Sequence, residues 1–238
     1  MAERVKPKAR AYDSPRRREQ AAATRLQILE AAERLFERQG YAATTMAAIA
    51  AEAGVALKTV YVVFETKSGV LRALWNLRLR GDEGDAPVAD RPWYREVVQE
   101  PDPERQLRLN ARNSRVVKLR IGALLEVIRS AAPIDPDIEA LWSRIQTDFH
   151  VNQRAIVESL KSKKALAAGL DVDRASDILW TLNHPATWQL LVGERGWSPD
   201  QWEEWFVAAA LSQLLGAGQS ATLSRGGRRQ EHRARRRR

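Results

Sequence analysis

The chain has 238 residues, room for one large domain or two small ones, and carries a formal charge of +9. It has no cysteine, which excludes disulfides and thiolate metal sites, and His150, His184 and His232 show no ligand spacing. No apolar run approaches the roughly 18 residues of a membrane span, and no signal-peptide core, glycine-rich phosphate loop or nucleophile–base–acid cluster is present. The expectation is a cytoplasmic protein that is not an enzyme, with no cofactor and no metal.

The charge is unevenly placed. Residues 1 to 20 carry +4 and residues 216 to 238 carry +7, while residues 21 to 80 carry +3 and residues 81 to 215 carry −5. A basic reader, an acidic body and two basic tails are the division expected if one end meets DNA.

Residues 1 to 20 read as a basic, flexible arm. Lys6, Lys8, Arg10 and the run Arg16-Arg17-Arg18 are broken by Pro7 and Pro15. Such an arm either follows the DNA backbone or minor groove, or only solubilises the chain. Next, Ile28, Ala31, Ala32, Leu35 and Phe36 fall at helical spacing, and Gly40-Tyr41 follows as a stop. Met46, Ile49, Ala50 and Ala53 form a second apolar stripe that Thr44 or Thr45 can cap, and Gly54 supplies the left-handed residue that ends it. Val60, Val63 and Phe64 give a third helix its buried side, leaving Leu57, Lys58, Thr59, Tyr61 and Val62 outward or on the rim. Hydroxyl and ammonium donors there suit phosphate oxygens, and apolar groups suit a thymine methyl. On spacing alone, a plain helical hairpin inside a bundle fits the same residues.

Residues 21 to 75 resemble the DNA-binding domain of the tetracycline-repressor (TetR) family of bacterial regulators. The matching positions are Thr45, Ile49-Ala50, Ala53-Gly54-Val55, Thr59-Val60-Tyr61, Phe64, Lys67 and Leu71. The resemblance implies an all-α protein: a three-helix helix-turn-helix domain over 21–80, including a linking helix, and a helical regulatory and dimerisation domain over 81–216. It implies phosphate contacts by Thr45, Tyr61 and Lys67, with most of the reading left to Lys58, Thr59 and Tyr61 and with Leu57 and Val62 at the groove floor. Ala56 departs from the family's frequent Ser, removing a helix cap, and Val63 from a frequent His.

Residues 81 to 103, with Gly81, Gly84, Pro87, Pro92, Pro101 and Pro103, read as a connector. Leu107, Ala111, Val116, Leu119, Ala123, Val127 and Ile128 then carry helical periodicity, as do Ile138, Leu141, Trp142, Ile145, Phe149, Ile156 and Leu160, with Pro133 and Pro136 between them. Residues 173 to 192 and 198 to 215 read as a last helical pair, and residues 217 to 238 as a basic, disordered tail. By the resemblance the last pair forms a homodimer interface, with Trp180, Trp188, Leu191, Trp202, Phe206 and Leu211 as candidates; the same residues would also serve as monomer core. The middle helices would hold a pocket for an unidentified small-molecule effector, lined by Trp75, Leu124, Ile128, Trp142, Ile145 and Phe149, with Asp148 and His150 as polar contacts. The expected function is sequence-specific transcriptional regulation by a homodimer on double-stranded DNA, as a repressor released from a palindromic operator by that effector. The alternative is a non-specific DNA-coating protein working through its tails.

Overall fold

A computed structural model describes residues 15–80 and 88–215. They fold into ten α-helices, and the chain divides into two compact units after Leu74. The terminal arm before residue 15 and the tail after residue 215 lie outside the described residues, as do the expectations placed on them.

The first unit begins with α1 (Pro15–Ala43). Pro15 heads it, a position where the missing N–H costs nothing, so Arg16, Arg17 and Arg18 are helical and not part of a flexible arm. Ile28, Ala31, Ala32, Leu35 and Phe36 are all buried. The helix is broken at Gly40, whose φ of 78° and ψ of 171° favour a residue without a Cβ. Beyond the break, Tyr41 stacks on Phe36 at 5.7 Å. The helices α2 (Met46–Glu52) and α3 (Leu57–Phe64) follow. The turn between them uses Gly54 at φ 65°. Helix α4 (Lys67–Arg80) is capped by Thr66, whose hydroxyl accepts the Gly69 N–H at 2.9 Å. Gly69 admits no side chain, because a Cβ would lie 2.3 Å from the Phe64 carbonyl oxygen. Val70, Leu71 and Leu74 are fully buried on α4.

In the second unit five helices start with proline: α5 (Pro92–Gln99), α6 (Pro103–Ala131), α7 (Pro136–Ser162), α9 (Pro185–Trp188) and α10 (Pro199–Leu214). The residue before proline is pushed to extended backbone, and proline itself fits the first turn. Asp102, Asp135 and Ser198 each add a side-chain cap. The expected connector over 81–103 therefore contains a helix, α5, with Tyr94 and Val97 buried. The tyrosine hydroxyl donates to the Asn152 carbonyl at 2.6 Å.

The long helices α6 and α7 pack with α8 (Val172–Leu182) and α10 around one core. Leu107, Ala111, Leu124 and Ile128 line the buried side of α6, whereas Val116, Leu119 and Ala123 are exposed. Their spacing reads as helical, but the buried stripe runs one position away, through Ile121, Leu124 and Leu125. The expected helix over 173–192 is interrupted. Pro185 denies the i→i−4 bond and its ring clashes with the preceding turn, so α8 ends at Leu182 with Asn183 as its C-cap, α9 starts at Pro185, and a π-helical turn covers Gln189–Glu194. Among the described residues no single helix is long and apolar enough to cross a membrane.

Candidate nucleic-acid interface and effector site

The reading surface starts from burial. Met46, Ile49 and Ala50 on α2 and Val60 and Phe64 on α3 point inward, which fixes what α3 turns outward. Leu57 is 41% exposed, Tyr61 49% and Val62 73%, and Lys58 is exposed beside them. These four positions (i, i+1, i+4, i+5) make one stripe along α3. Thr59 is half-buried at its edge, as is Val63, which the sequence placed on the buried side. The axes of α2 and α3 turn by 113°, joined by the short glycine turn. That angle lies within the range of DNA-binding helix-turn-helix pairs, whose second helix enters the major groove.

Thr45, and not Thr44, caps α2. Its exposed hydroxyl oxygen accepts the Ala48 N–H at 3.1 Å, leaving the hydroxyl proton to be donated outward. Thr44 is buried and donates to the Gly40 carbonyl at 2.8 Å. Ala56, at the start of α3, has no side chain to cap it.

Lys67 is half-buried, and its ammonium is engaged within the unit. It donates to the Tyr41 carbonyl at 2.8 Å and the Thr44 carbonyl at 2.9 Å, and lies 4.0 Å over the Tyr41 ring. This braces the corner that presents Thr45, so the geometry gives Lys67 a positioning role. Three further ties hold α2 and α3 to α1. Gln27 donates to the Ala53 carbonyl at 2.7 Å. Arg34 pairs with Glu52 at 3.0 Å and holds its carboxyl below the usual range. The Arg25 guanidinium sits 4.5 Å over the Phe64 ring.

In the second unit, Trp75, Leu124 and Ile128 are buried, and Trp142, Ile145 and Phe149 are half-buried. Asp148 is exposed, and His150 is bonded to Asp177 at 3.1 Å on the surface. The polar groups that do gather inside were not foreseen. Lys118, 7% exposed, donates to Asn183 Oδ1 at 2.5 Å. Asn183 donates in turn to Ser114 Oγ at 2.9 Å and Gln153 Oε1 at 3.3 Å. The Lys118 ammonium lies 4.7 Å from the Trp202 ring and 5.9 Å from the Phe149 ring. Burial lowers its pKa to about 7. His184 meets Gln146 Oε1 at 2.9 Å, and its pKa is lowered, first by burial and then by Lys118. A signal was available: Lys118 lies seven residues after the buried Ala111 and three before the buried Ile121 on one helix stripe.

The candidate interface residues separate. Trp202 and Phe206 are fully buried within the single chain and Trp188 is 8% exposed, so these three are monomer core. Trp188 meets Trp202 edge-on at 5.1 Å, and Trp202 stacks on Phe206 at 5.3 Å. Trp180, Leu191 and Leu211 are half-buried and retain surface.

The profile of bacterial regulatory proteins of the tetR family matches residues 28–74, which hold the α2–α3 pair and its supports. The chain is 30% identical over 167 residues to the probable HTH-type transcriptional regulator ArpR of Pseudomonas putida, covering 68% of this chain and 77% of the relative. Its fold is similar to that of SmeT, solved in complex with triclosan, at a TM-score of 0.65 and 21% identity, covering 82% of this chain and 93% of that one. It is similar also to NalD, the secondary repressor of the MexAB-OprM multidrug efflux pump in Pseudomonas aeruginosa, at a TM-score of 0.64 and 22% identity, covering 83% and 98%. The chain belongs to the tetR family of bacterial regulatory proteins. It is a helix-turn-helix, DNA-binding transcriptional regulator.

Proposed function

We propose that the chain is a homodimeric repressor in the cytoplasm that reads a palindromic operator with its two α3 helices and leaves it when a small molecule binds the second unit. The observation that carries this reading is the outward stripe of α3, where Leu57, Lys58, Tyr61 and Val62 combine apolar surface, a hydroxyl and a cation. Lys58 is the candidate base reader, and Thr45 and Tyr61 the phosphate contacts. A dimer is supported by apolar surface left on the last elements, including Leu190 at 54% exposure and the half-buried Leu191, Trp205 and Leu211. Two-fold symmetry would present two readers to half-sites about 34–36 Å apart. Release by a ligand requires that the ligand prefer one arrangement of the dimer. The names of the relatives support it, one a repressor of an efflux pump and one bound to triclosan.

The test is selection of binding sites from random duplex DNA at about 0.15 M salt, the physiological ionic strength. The expected product is one palindrome, and Lys58→Ala should change the preferred base at one symmetric pair of positions. Recovery of no preferred sequence would favour non-specific coating instead.

A further inference from the structure

The interior of the second unit holds a cation without an anion. Among the described residues no carboxylate pairs with Lys118, and its only hydrogen-bond acceptor is the neutral side chain of Asn183. An amine is a costly group to bury for a purely structural bond, because any charge it carries is met only by one neutral oxygen and the faces of the Trp202 and Phe149 rings. The same region contains buried donors with no acceptor: Trp202 Nε1, Trp180 Nε1 and Gln146 Nε2. Native interiors leave few such atoms. Here all of the deficit is of one kind, since every unmet group is a donor.

The surroundings define the rest of a ligand. Phe149, Trp180 and His184 are half-buried, so the cluster reaches solvent on the α7–α8 side. Trp180 and His184 lie 4.7 Å apart, and Phe149 is 6.4 Å from His184. These are flat faces against which a ring can stack.

We propose that the cluster of Lys118, Asn183 and Trp202 receives a small aromatic carboxylic acid, which is the effector of this regulator. The carboxylate takes the Lys118 ammonium and the Trp202 indole N–H, and the ring rests against Phe149 and Trp180. This rests on the reading of the second unit as the effector-binding unit. In binding, the acid replaces Asn183 Oδ1 as the acceptor for Lys118. Asn183 caps the C-terminal end of α8 before the Pro185 break, and it also bonds Ser114 and Gln153, so its release loosens the joint between α8 and α9.

The experiment is calorimetric titration of the full chain at pH 6.5 with benzoate, 2-naphthoate and the neutral 2-naphthamide. At least one acid should bind, with 2-naphthoate at least tenfold tighter than its amide. Lys118→Met should remove that preference, and Trp202→Phe, which keeps the ring and deletes only the donor, should weaken 2-naphthoate severalfold. Melting curves of both variants establish that they fold. Binding of neither acid, equal affinity for acid and amide, or an unchanged acid affinity in both variants would overturn the proposal, with solvent then serving the buried donors. Operator release is measured separately on the selected DNA. If neutral compounds release the operator while the acids do not bind, ligand response survives and the acid site falls. If the acids bind through Lys118 and do not release the operator, the binding site stands and its assignment as the effector site is overturned.

Discussion

Lys118→Met tests the buried amine directly, through the pH dependence of stability. The folded chain holds the Lys118 amine at a pKa of about 7, against 10.5 for the free side chain, because burial disfavours the charged form. Between these two values the unfolded chain binds a proton that the folded chain does not. Stability therefore rises with pH across this window, and it is lost as pH falls from the upper value to the lower. The full slope is about 1.4 kcal/mol per pH unit. Titration is only half complete at pH 7, so the gain between pH 7 and pH 9 is on the order of 2 kcal/mol. At roughly 2–4 °C per kcal/mol for a chain of this size, wild type should gain about 4–8 °C on the variant across that interval. The substitution also leaves Asn183 Oδ1 without its donor, at a cost of about 1–3 kcal/mol. That cost is independent of pH and shifts the offset without changing the slope. His184 has its pKa pushed below the ordinary value, first by burial and then by Lys118. The assay is thermal unfolding of both proteins at pH 6, 7, 8 and 9. A difference in melting temperature that stays constant from pH 7 to pH 9 would refute the claim that Lys118 is buried without an anion.

Two predictions concern the reading unit. Ala56 already has the extended backbone of a cap, with φ −67° and ψ 140°, so Ala56→Ser should add about 1 kcal/mol and raise the melting temperature by a few degrees. An unchanged melting temperature would show that the first-turn amides of α3 are satisfied in another way. Lys67→Met removes the ammonium from two carbonyls and should destabilise the unit by about 1.5–3 kcal/mol, while weakening DNA binding alike for every sequence. A variant that melts as wild type does would disprove the brace.

The helix-turn-helix was legible because its information is local. Apolar spacing over residues 46–64 and one glycine specify both helices and the turn, and burial then leaves Leu57, Lys58, Tyr61 and Val62 outside. The role of Lys67 was not legible, since its acceptors Tyr41 and Thr44 lie more than twenty residues away. Prolines misled twice, in opposite senses. Pro92 looked like part of a connector and begins α5, whereas Pro185 was passed over and splits what read as one helix. Periodicity marks an apolar stripe but does not say whether the covering surface belongs to the same chain. Trp202 and Phe206 looked available for a partner and are enclosed by their own helices. The Lys118 cluster joins residues from α6, α7, α8 and α10, and no single stretch of sequence contains it.

Helix α3 has eight residues and no side-chain cap. An isolated helix of that length is marginal in water, so its order is borrowed from Val60 and Phe64 beneath it. Amide hydrogens on its outer face should exchange with solvent faster than those of the buried middle of α1. The element proposed to read the bases is thus not self-sufficient, and its residence in the helical state is set by the packing beneath it. Substitutions at Val60 or Phe64, which touch no base, would reach the operator through the lifetime of that helix.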